Sequence, residues 1–249
     1  MGLNTGSFHV DIRQEQTAFR NARPSRLGRG IERLTNPFGK AIASVVPNGM
    51  VESLVKALDT AAGAPAVANL RHDPSDIGAA RQASEKIERA AKTINGATGA
   101  AAGFGGAISA TLDLPASIGI ALRSIRDIGR AYGFNGTGEA EKLFRLQVLE
   151  LAALDDPELR ADRIAAIERT IADDGSLRIV SGDAATPMVD AAIERISRAM
   201  AFVTFRRRLG MVVPIAGSAV GLIVNRSFQE DVAKAARFAF QERWLKTRP

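Results

Sequence analysis

The stretch that decides the fold reads Gly96-Ala-Thr-Gly-Ala-Ala-Ala-Gly103-Phe-Gly-Gly-Ala-Ile-Ser-Ala-Thr111. It carries no charge and lies inside a longer apolar segment, roughly Ile94–Leu122. A glycine in a helix interior costs about 1 kcal/mol relative to alanine. A helix with this many glycines therefore needs close backbone contact or lipid as compensation. A second apolar segment, Gly210–Asn225, has the same small-residue character, so we predict that these two Gly/Ala-rich helical segments organise the fold.

The composition favours an all-α fold. Hydrophobic residues make up 46% of the 249-residue chain, yet aromatic residues make up only 5%. Alanine favours helices, whereas a sheet protein of this size is expected to hold more β-branched and aromatic residues. We predict a basic, weakly ordered N-terminal arm over residues 1–36 and a single multi-helix domain over residues 37–247, which is long enough to bury a sizeable core.

Several classes of site are excluded by the residues that are missing. The chain has no cysteine and only two histidines, His9 and His72, so thiolate or histidine-rich metal sites and a Ser-His-Asp triad are not expected. The glycine-rich run lacks the Gly-Lys-Ser/Thr of a phosphate-binding loop and the preceding strand of a dinucleotide fingerprint. The adjacent carboxylates at Asp155-Asp156 and Asp173-Asp174 are typical of helix N-caps. We therefore predict no catalytic residues, no metal and no cofactor.

The net charge of +6 points to an anionic partner. Basic residues are spread among acidic ones and are not interleaved with stacking aromatic residues, so nucleic acid is not predicted. An anionic membrane surface fits better because of the apolar segments. Residues 1–20 are polar and lack the apolar core of a secretory signal. We expect a cytoplasmic protein, peripheral on the inner face of the membrane.

The apolar segments leave two interpretations open. The second segment has only about 14 uncharged residues, short of the ~20 that a membrane-spanning helix needs. Both segments are then either tightly packed core hairpins, or helices that line an apolar cavity or dip into a bilayer. In the second case the basic run Arg206, Arg207 and Arg208 is predicted to contact lipid headgroups.

The polar residues beside these segments also have two interpretations. Asp113 and Pro115 have the pattern of a helix start, Arg123 and Asp127 have the spacing of an i,i+4 pair, and Asn225 is typical of a helix C-cap. The alternative is a polar mouth that orients a ligand or headgroup, and its candidate residues are Asp113, Arg123, Arg126, Tyr132 and Asn225.

The rest of the chain is predicted to form amphipathic helices separated by turn residues. Asp73-Pro74-Ser75 begins one that runs into the glycine-rich stretch, and Gly133-Phe-Asn-Gly136 ends the helix that follows it. Further helices are predicted over about Thr137–Ala153, Pro157–Ala172 and Ser227–Leu245. Core positions among them are Leu143, Leu146, Val148, Leu149, Ile164, Ile167, Ile171, Phe228, Val232, Phe238, Phe240 and Trp244.

Three stretches of the sequence resemble a known bacterial family. The stretch Asp113–Phe134, the glycine-rich run before it, and the ending Val213–Asn225 with its following Ala-rich helix are similar to the bacterial EcsC family. The likeness covers about residues 38–246. It implies a helical fold, and the family takes its name from an operon that also encodes an ABC transporter. A more distant resemblance, in architecture, is to the helical senescence-type domain associated with lipid binding, although fold does not fix function.

Three functions follow as expectations. The first is a membrane-proximal protein that binds lipid or another long apolar ligand between its Gly-rich helices. The second is a protein-interaction or accessory module of a membrane transporter or secretion system. The third is a hydrolase, which would require a polar cleft with a strongly perturbed carboxylate.

Overall fold

The computed structural model describes residues 5–22, 57, 60–61, 63–103, 109–154, 157–178, 187, 190–195 and 217–247. Six helices cover most of them: α1 (Thr5–Asn21), α2 (Ile77–Gly103), α3 (Ser109–Ala131), α4 (Glu139–Ala153), α5 (Pro157–Thr170) and α6 (Gly217–Thr247). The described residues contain no strand, and Ile171 and Leu177 form an isolated antiparallel bridge. The all-α prediction is confirmed.

Helix α6 is the centre of the fold. It packs against each of the other five helices, most extensively against α2, α4 and α3. Its alanines allow neighbouring backbones to approach closely, while its aromatic residues fill the spaces between helices. The buried side chains of α6 include Phe228, Val232, Ala235, Ala236, Phe238, Ala239, Phe240 and Trp244. Every core position predicted from α4 to α6 is buried.

The two ends of the α2–α3 region follow from local chemistry. The Asp76 carboxylate accepts the amides of Gly78 and Ala79 at 2.8 and 3.1 Å, so it caps the first turn of α2. At the end of α3, Gly133 has φ +89° and the Phe134 amide donates to the Gly129 carbonyl at 2.9 Å. This left-handed glycine terminates the helix, as the sequence predicts.

Two predicted helix boundaries need correction. Asp113 does not begin a helix, because α3 already starts at Ser109 and runs through Pro115. Packing of α3 against α2 and α6 outweighs the one hydrogen bond that Pro115 cannot donate. Asn225 does not end a helix either, since α6 continues without a break from Gly217 to Thr247.

The N-terminal region also differs from the predicted arm. Residues 5–21 form α1, which packs on α6 and α2. Ile12 and Gln16 are buried, and the Phe19 ring stacks on Phe238 with a centroid separation of 4.6 Å. The arginines and glycines that suggested weak order lie mostly beyond Asn21, and residues 23–36 are outside the described residues.

Candidate functional site

One end of the helix group formed by α2, α3 and α6 is almost without charge. The last 11 residues of α2, from Thr93 to Gly103, carry no charged residue. The same holds for the first nine residues of α6, from Gly217 to Asn225. The first 14 residues of α3 carry one, Asp113. We call these three stretches together the uncharged end.

The packing brings the three stretches to the same end of the molecule. Lys92 pairs with Glu230 at 3.1 Å and Glu88 pairs with Arg237 at 2.6 Å, so α2 and α6 are antiparallel. Helix α3 packs on α2 after a connection of only five residues, which requires a second antiparallel turn. The C-terminal part of α2 therefore lies beside the N-terminal parts of α3 and α6.

Charge begins within about 6 Å of the same level on α2 and α6, because Lys92 pairs with Glu230, four residues beyond Arg226. The first charged residue behind the uncharged end is Lys92 on α2 and Arg226 on α6, and on α3 it is Arg123 after the isolated Asp113. With a rise of 1.5 Å per residue, the stretch from Lys92 to Gly103 is about 16 Å long. Among the described residues, this end is thus about 16 Å deep along α2, holds Asp113 as its one charged residue and is bounded by basic residues.

The predicted polar mouth is not a single cluster. Asp113 is on α3 and Tyr132 directly follows its last residue, so the two are 19 residues, or about 28 Å along the helix axis, apart. Asp113 is within the uncharged end and Tyr132 follows the opposite end of α3. The backbone of Asn225 is on α6, and the side chains of Asp113 and Asn225 lie outside the described residues. Arg206, Arg207 and Arg208 also lie outside them.

Arg123 and Arg126 hold a neighbouring segment of the chain. The Arg123 guanidinium donates to the Pro65 carbonyl at 2.8 Å. Arg126 is 3% exposed and donates to the carbonyls of Ala61 and Ala64 at 2.5 and 2.8 Å. The expected pairing of Arg123 with Asp127 is replaced, because Asp127 binds Arg126 at 2.9 Å instead. These contacts fix Ala61, Ala64 and Pro65 against α3.

Tyr132 is part of a buried polar network. Its hydroxyl accepts a hydrogen bond from Gln241 at 3.1 Å, and the Gln241 carbonyl oxygen accepts one from Gln16 at 2.6 Å. Burial raises the pKa of Tyr132 to about 12, partly opposed by hydrogen bonds from Gln241 and Ser84. The phenol is therefore neutral at physiological pH, and it joins α1, α2, α3 and α6.

Ion pairs extend this network towards the uncharged end. Glu15 binds Arg81 at 3.0 Å, and Glu88 binds both Arg237 and Lys92. The pKa of Glu88 is lowered because the hydrogen bonds and charges of Lys92 and Arg237 together outweigh the opposing effect of burial. These residues form part of a charged layer between the uncharged end and the polar core.

The chain matches the model of the EcsC protein family over residues 11–245. The chain belongs to the EcsC family. The match begins inside α1 and extends into α6, so it includes residues of all six helices. This extent agrees with the packing of α1 on the core, and it differs from the predicted domain that begins at residue 37.

This EcsC-family chain is also similar to a protein of Bacillus subtilis (strain 168). The two sequences are 27% identical over 156 residues, which is 61% of this chain and 52% of the other protein, described as "Uncharacterized protein YdbA". The chain thus spans about half the length of this curated relative. No solved structure matches the chain.

Other classes of site find little support in the described part of this EcsC-family chain. No group of three or more His, Asp or Glu side chains there is placed to hold a metal ion. Asp173 and Asp174 are in an exposed turn, where Asp173 pairs with Arg178 at 3.2 Å. Among the described residues, no helix combines the length and the apolar character needed to cross a bilayer.

Several charged and amide side chains are buried that the sequence does not predict to be. Arg145 and Arg243 are 9% and 4% exposed, and Gln16 and Gln241 are 3% and 0% exposed. A charged residue in the middle of an apolar stripe is the only signal that could have indicated them, as at Arg145 between Leu143 and Leu146. Two of them have partners far away in the sequence. Arg243 donates to the Gly175 carbonyl, 68 residues away, and Gln16 donates to the Gln241 side chain, 225 residues away.

Proposed function

We propose that this protein is a membrane-proximal helical protein that binds lipid through its uncharged end. The observation that carries the proposal is the juxtaposition of three helical stretches, from α2, α3 and α6, that together hold one charged residue, Asp113. A large apolar surface is unusual for a monomeric soluble protein and is typical of a binding surface.

The depth of the uncharged end fits one leaflet of a bilayer. The hydrocarbon core of a bilayer is about 30 Å thick, so a stretch of about 16 Å reaches roughly its middle. The residues there are mostly Gly, Ala, Ser, Thr, Ile, Leu and Val. Small residues let helices pack closely inside a bilayer, where the hydrophobic effect does not drive helix association. Within helices packed in this way, the backbone groups away from the helix ends satisfy one another, as an apolar environment requires.

The charge distribution supports the same orientation. Arg123 and Arg226 follow the uncharged end directly, and the net charge is +6. Each basic residue near an anionic surface contributes about 1 kcal/mol of attraction. Arg123 is only partly buried and donates one hydrogen bond to the Pro65 carbonyl, and we propose that it also contacts a headgroup. We assign the buried Arg126 to binding backbone carbonyls rather than to lipid contact.

An apolar ligand bound between the helices is the second form of the same proposal. The glycines and alanines of α2 and α3 leave little side-chain volume between backbones that remain in contact. A single acyl chain inserted between the helices would make van der Waals contacts that the small side chains do not make. This form predicts one or two retained lipids per chain, whereas insertion into a leaflet predicts binding to vesicles.

The test is native mass spectrometry of the purified full-length protein together with flotation on vesicles of phosphatidylglycerol and phosphatidylcholine. We expect either retained lipid or flotation that weakens as salt is raised. The matched pair of variants is Val220→Asp in the uncharged end and Ala90→Asp on the charged part of α2. Flotation should be lost in the first and kept in the second. Absence of both retained lipid and flotation contradicts the proposal.

A further inference from the structure

A second group of charges lies at the end of the molecule opposite the uncharged end. Arg130 is in the last turn of α3, Arg145 is on α4 and Arg243 is near the end of α6. Arg126 and Arg130 interact with Asp127, and Arg243 and Arg145 interact with Glu141, so the group holds four guanidinium groups and two carboxylates. We call this group the arginine cluster.

Both carboxylates of the arginine cluster are already engaged. Asp127 binds Arg126 at 2.9 Å and accepts the Val67 amide at 2.6 Å, while its distance to Arg130 is 3.7 Å. Glu141 binds Arg243 at 2.9 Å. Arg243 is also enclosed by aromatic rings, with its guanidinium 4.0 Å from the centre of Phe134. Arg126 and Arg243 are therefore compensated.

Arg145 is the guanidinium of the cluster that lacks such compensation. It is 9% exposed, donates one hydrogen bond to the Gly136 carbonyl, and its Nε has no hydrogen-bond partner. Burial lowers the pKa of Arg145, the charge of Glu141 raises it, and the charges of Arg126, Arg130 and Arg243 lower it further. A buried cation with so few acceptors is costly unless an anion accompanies it.

We propose that the arginine cluster binds a phosphate group of a soluble molecule between Arg145 and Arg130. Guanidinium groups present planar pairs of donors that match phosphate oxygens. The Arg130 side chain is 45% exposed and the neighbouring residues Asn135–Gly138 are exposed, which gives a small anion access from solvent. Four guanidinium groups and two carboxylates leave a net charge of +2, which matches a dianion.

The position of the cluster favours a soluble ligand over a lipid headgroup. Arg130 is 17 residues from Asp113, or about 25 Å along the axis of α3. A protein whose uncharged end is in a leaflet would hold Arg130 well above the headgroups. The phosphate site is therefore independent of the proposed lipid site, and either can fail without the other.

Thermal unfolding and calorimetric titration with inorganic phosphate test the proposal, at constant ionic strength set with sodium chloride. We expect phosphate to raise the Tm of the full chain. Arg130→Gln should weaken phosphate binding by about tenfold or more, the factor for one lost charge-assisted hydrogen bond. Arg169→Gln is the matched control, because Arg169 is likewise an exposed arginine in the last turn of a helix.

Arg145→Met separates a binding role from a structural one. If Arg145 is an uncompensated cation that awaits an anion, this variant keeps or raises the Tm without phosphate and loses the response to phosphate. A lower Tm without phosphate together with an unchanged response contradicts the proposal. So does an equal loss of binding in Arg169→Gln, or binding to anionic vesicles that depends on Arg130 while inorganic phosphate is not bound.

Discussion

The Asp127 carboxylate on α3 accepts the backbone amide of Val67 at 2.6 Å. The same carboxylate binds the buried guanidinium of Arg126, which donates to carbonyls of residues 61–65. His72 adds a hydrogen bond to the Ala131 carbonyl at 2.8 Å. Ala61, Ala64, Pro65 and Val67 are thus held beside α3 by its charged side chains.

Removing the charge of Asp127 should destabilise the fold strongly. In Asp127→Asn the buried Arg126 loses its counter-ion, and breaking one partner of a buried pair typically costs about 3–5 kcal/mol. Chemical denaturation followed by the fluorescence of Trp244, the single tryptophan, measures the free energy of unfolding. Asp173→Asn is the control, because that carboxylate is exposed and its loss should change stability by less than about 0.5 kcal/mol.

The single tyrosine gives a direct probe of the buried polar network. We expect the phenolate absorbance of the native protein to appear with a midpoint near pH 12, because burial raises the pKa of Tyr132 to about 12. In denaturant the midpoint should return to about 10. Since the folded pKa is the higher one, Tyr132 stabilises the fold below about pH 10 and this contribution is lost as pH rises towards 12. A native midpoint near 10 would contradict the burial of Tyr132.

Two glycines of the same helix should respond in opposite ways to alanine. A Cβ on Gly129 would meet the Phe240 ring at 2.7 Å, whereas a Cβ on Gly119 meets nothing within 4 Å. Gly129→Ala forces the central aromatic ring to move and should cost about 1–3 kcal/mol. Gly119→Ala gains helix propensity and should stabilise by about 1 kcal/mol at most. Equal effects in thermal unfolding would show that α3 does not pack closely on α6 at Phe240.

The sequence predicts the helical elements well because they carry local signals. Periodic apolar residues such as Ile164 and Ile167 are buried as expected, and Gly133 ends α3 where a left-handed residue is required. Local signals mislead where packing decides the outcome. Pro115 and Asn225 resemble helix boundaries, yet both are inside helices whose packing partners come from other parts of the chain.

The candidate site is predictable only in part, for the same reason. The uncharged character of the glycine-rich stretches is visible in the sequence, but their placement at one end follows from pairs such as Lys92–Glu230, 138 residues apart. Arg126 has the spacing of a polar-face residue, and it is buried because carbonyls of residues 61–65 supply its acceptors. No local pattern identifies those partners.

The central claim is that the uncharged end contacts lipid, and the absence of cysteine makes it directly testable. Single cysteines at Ala100, Ala101 and Ala102 face three directions about 100° apart on α2, and each can carry an environment-sensitive fluorophore. A cysteine at the exposed Arg89, about 18 Å from Ala101 along the helix, is the control. On addition of phosphatidylglycerol vesicles we predict a blue shift and increased emission from at least one of the three labels and none from position 89. No shift at any of the three, or an equal shift at position 89, would contradict the account.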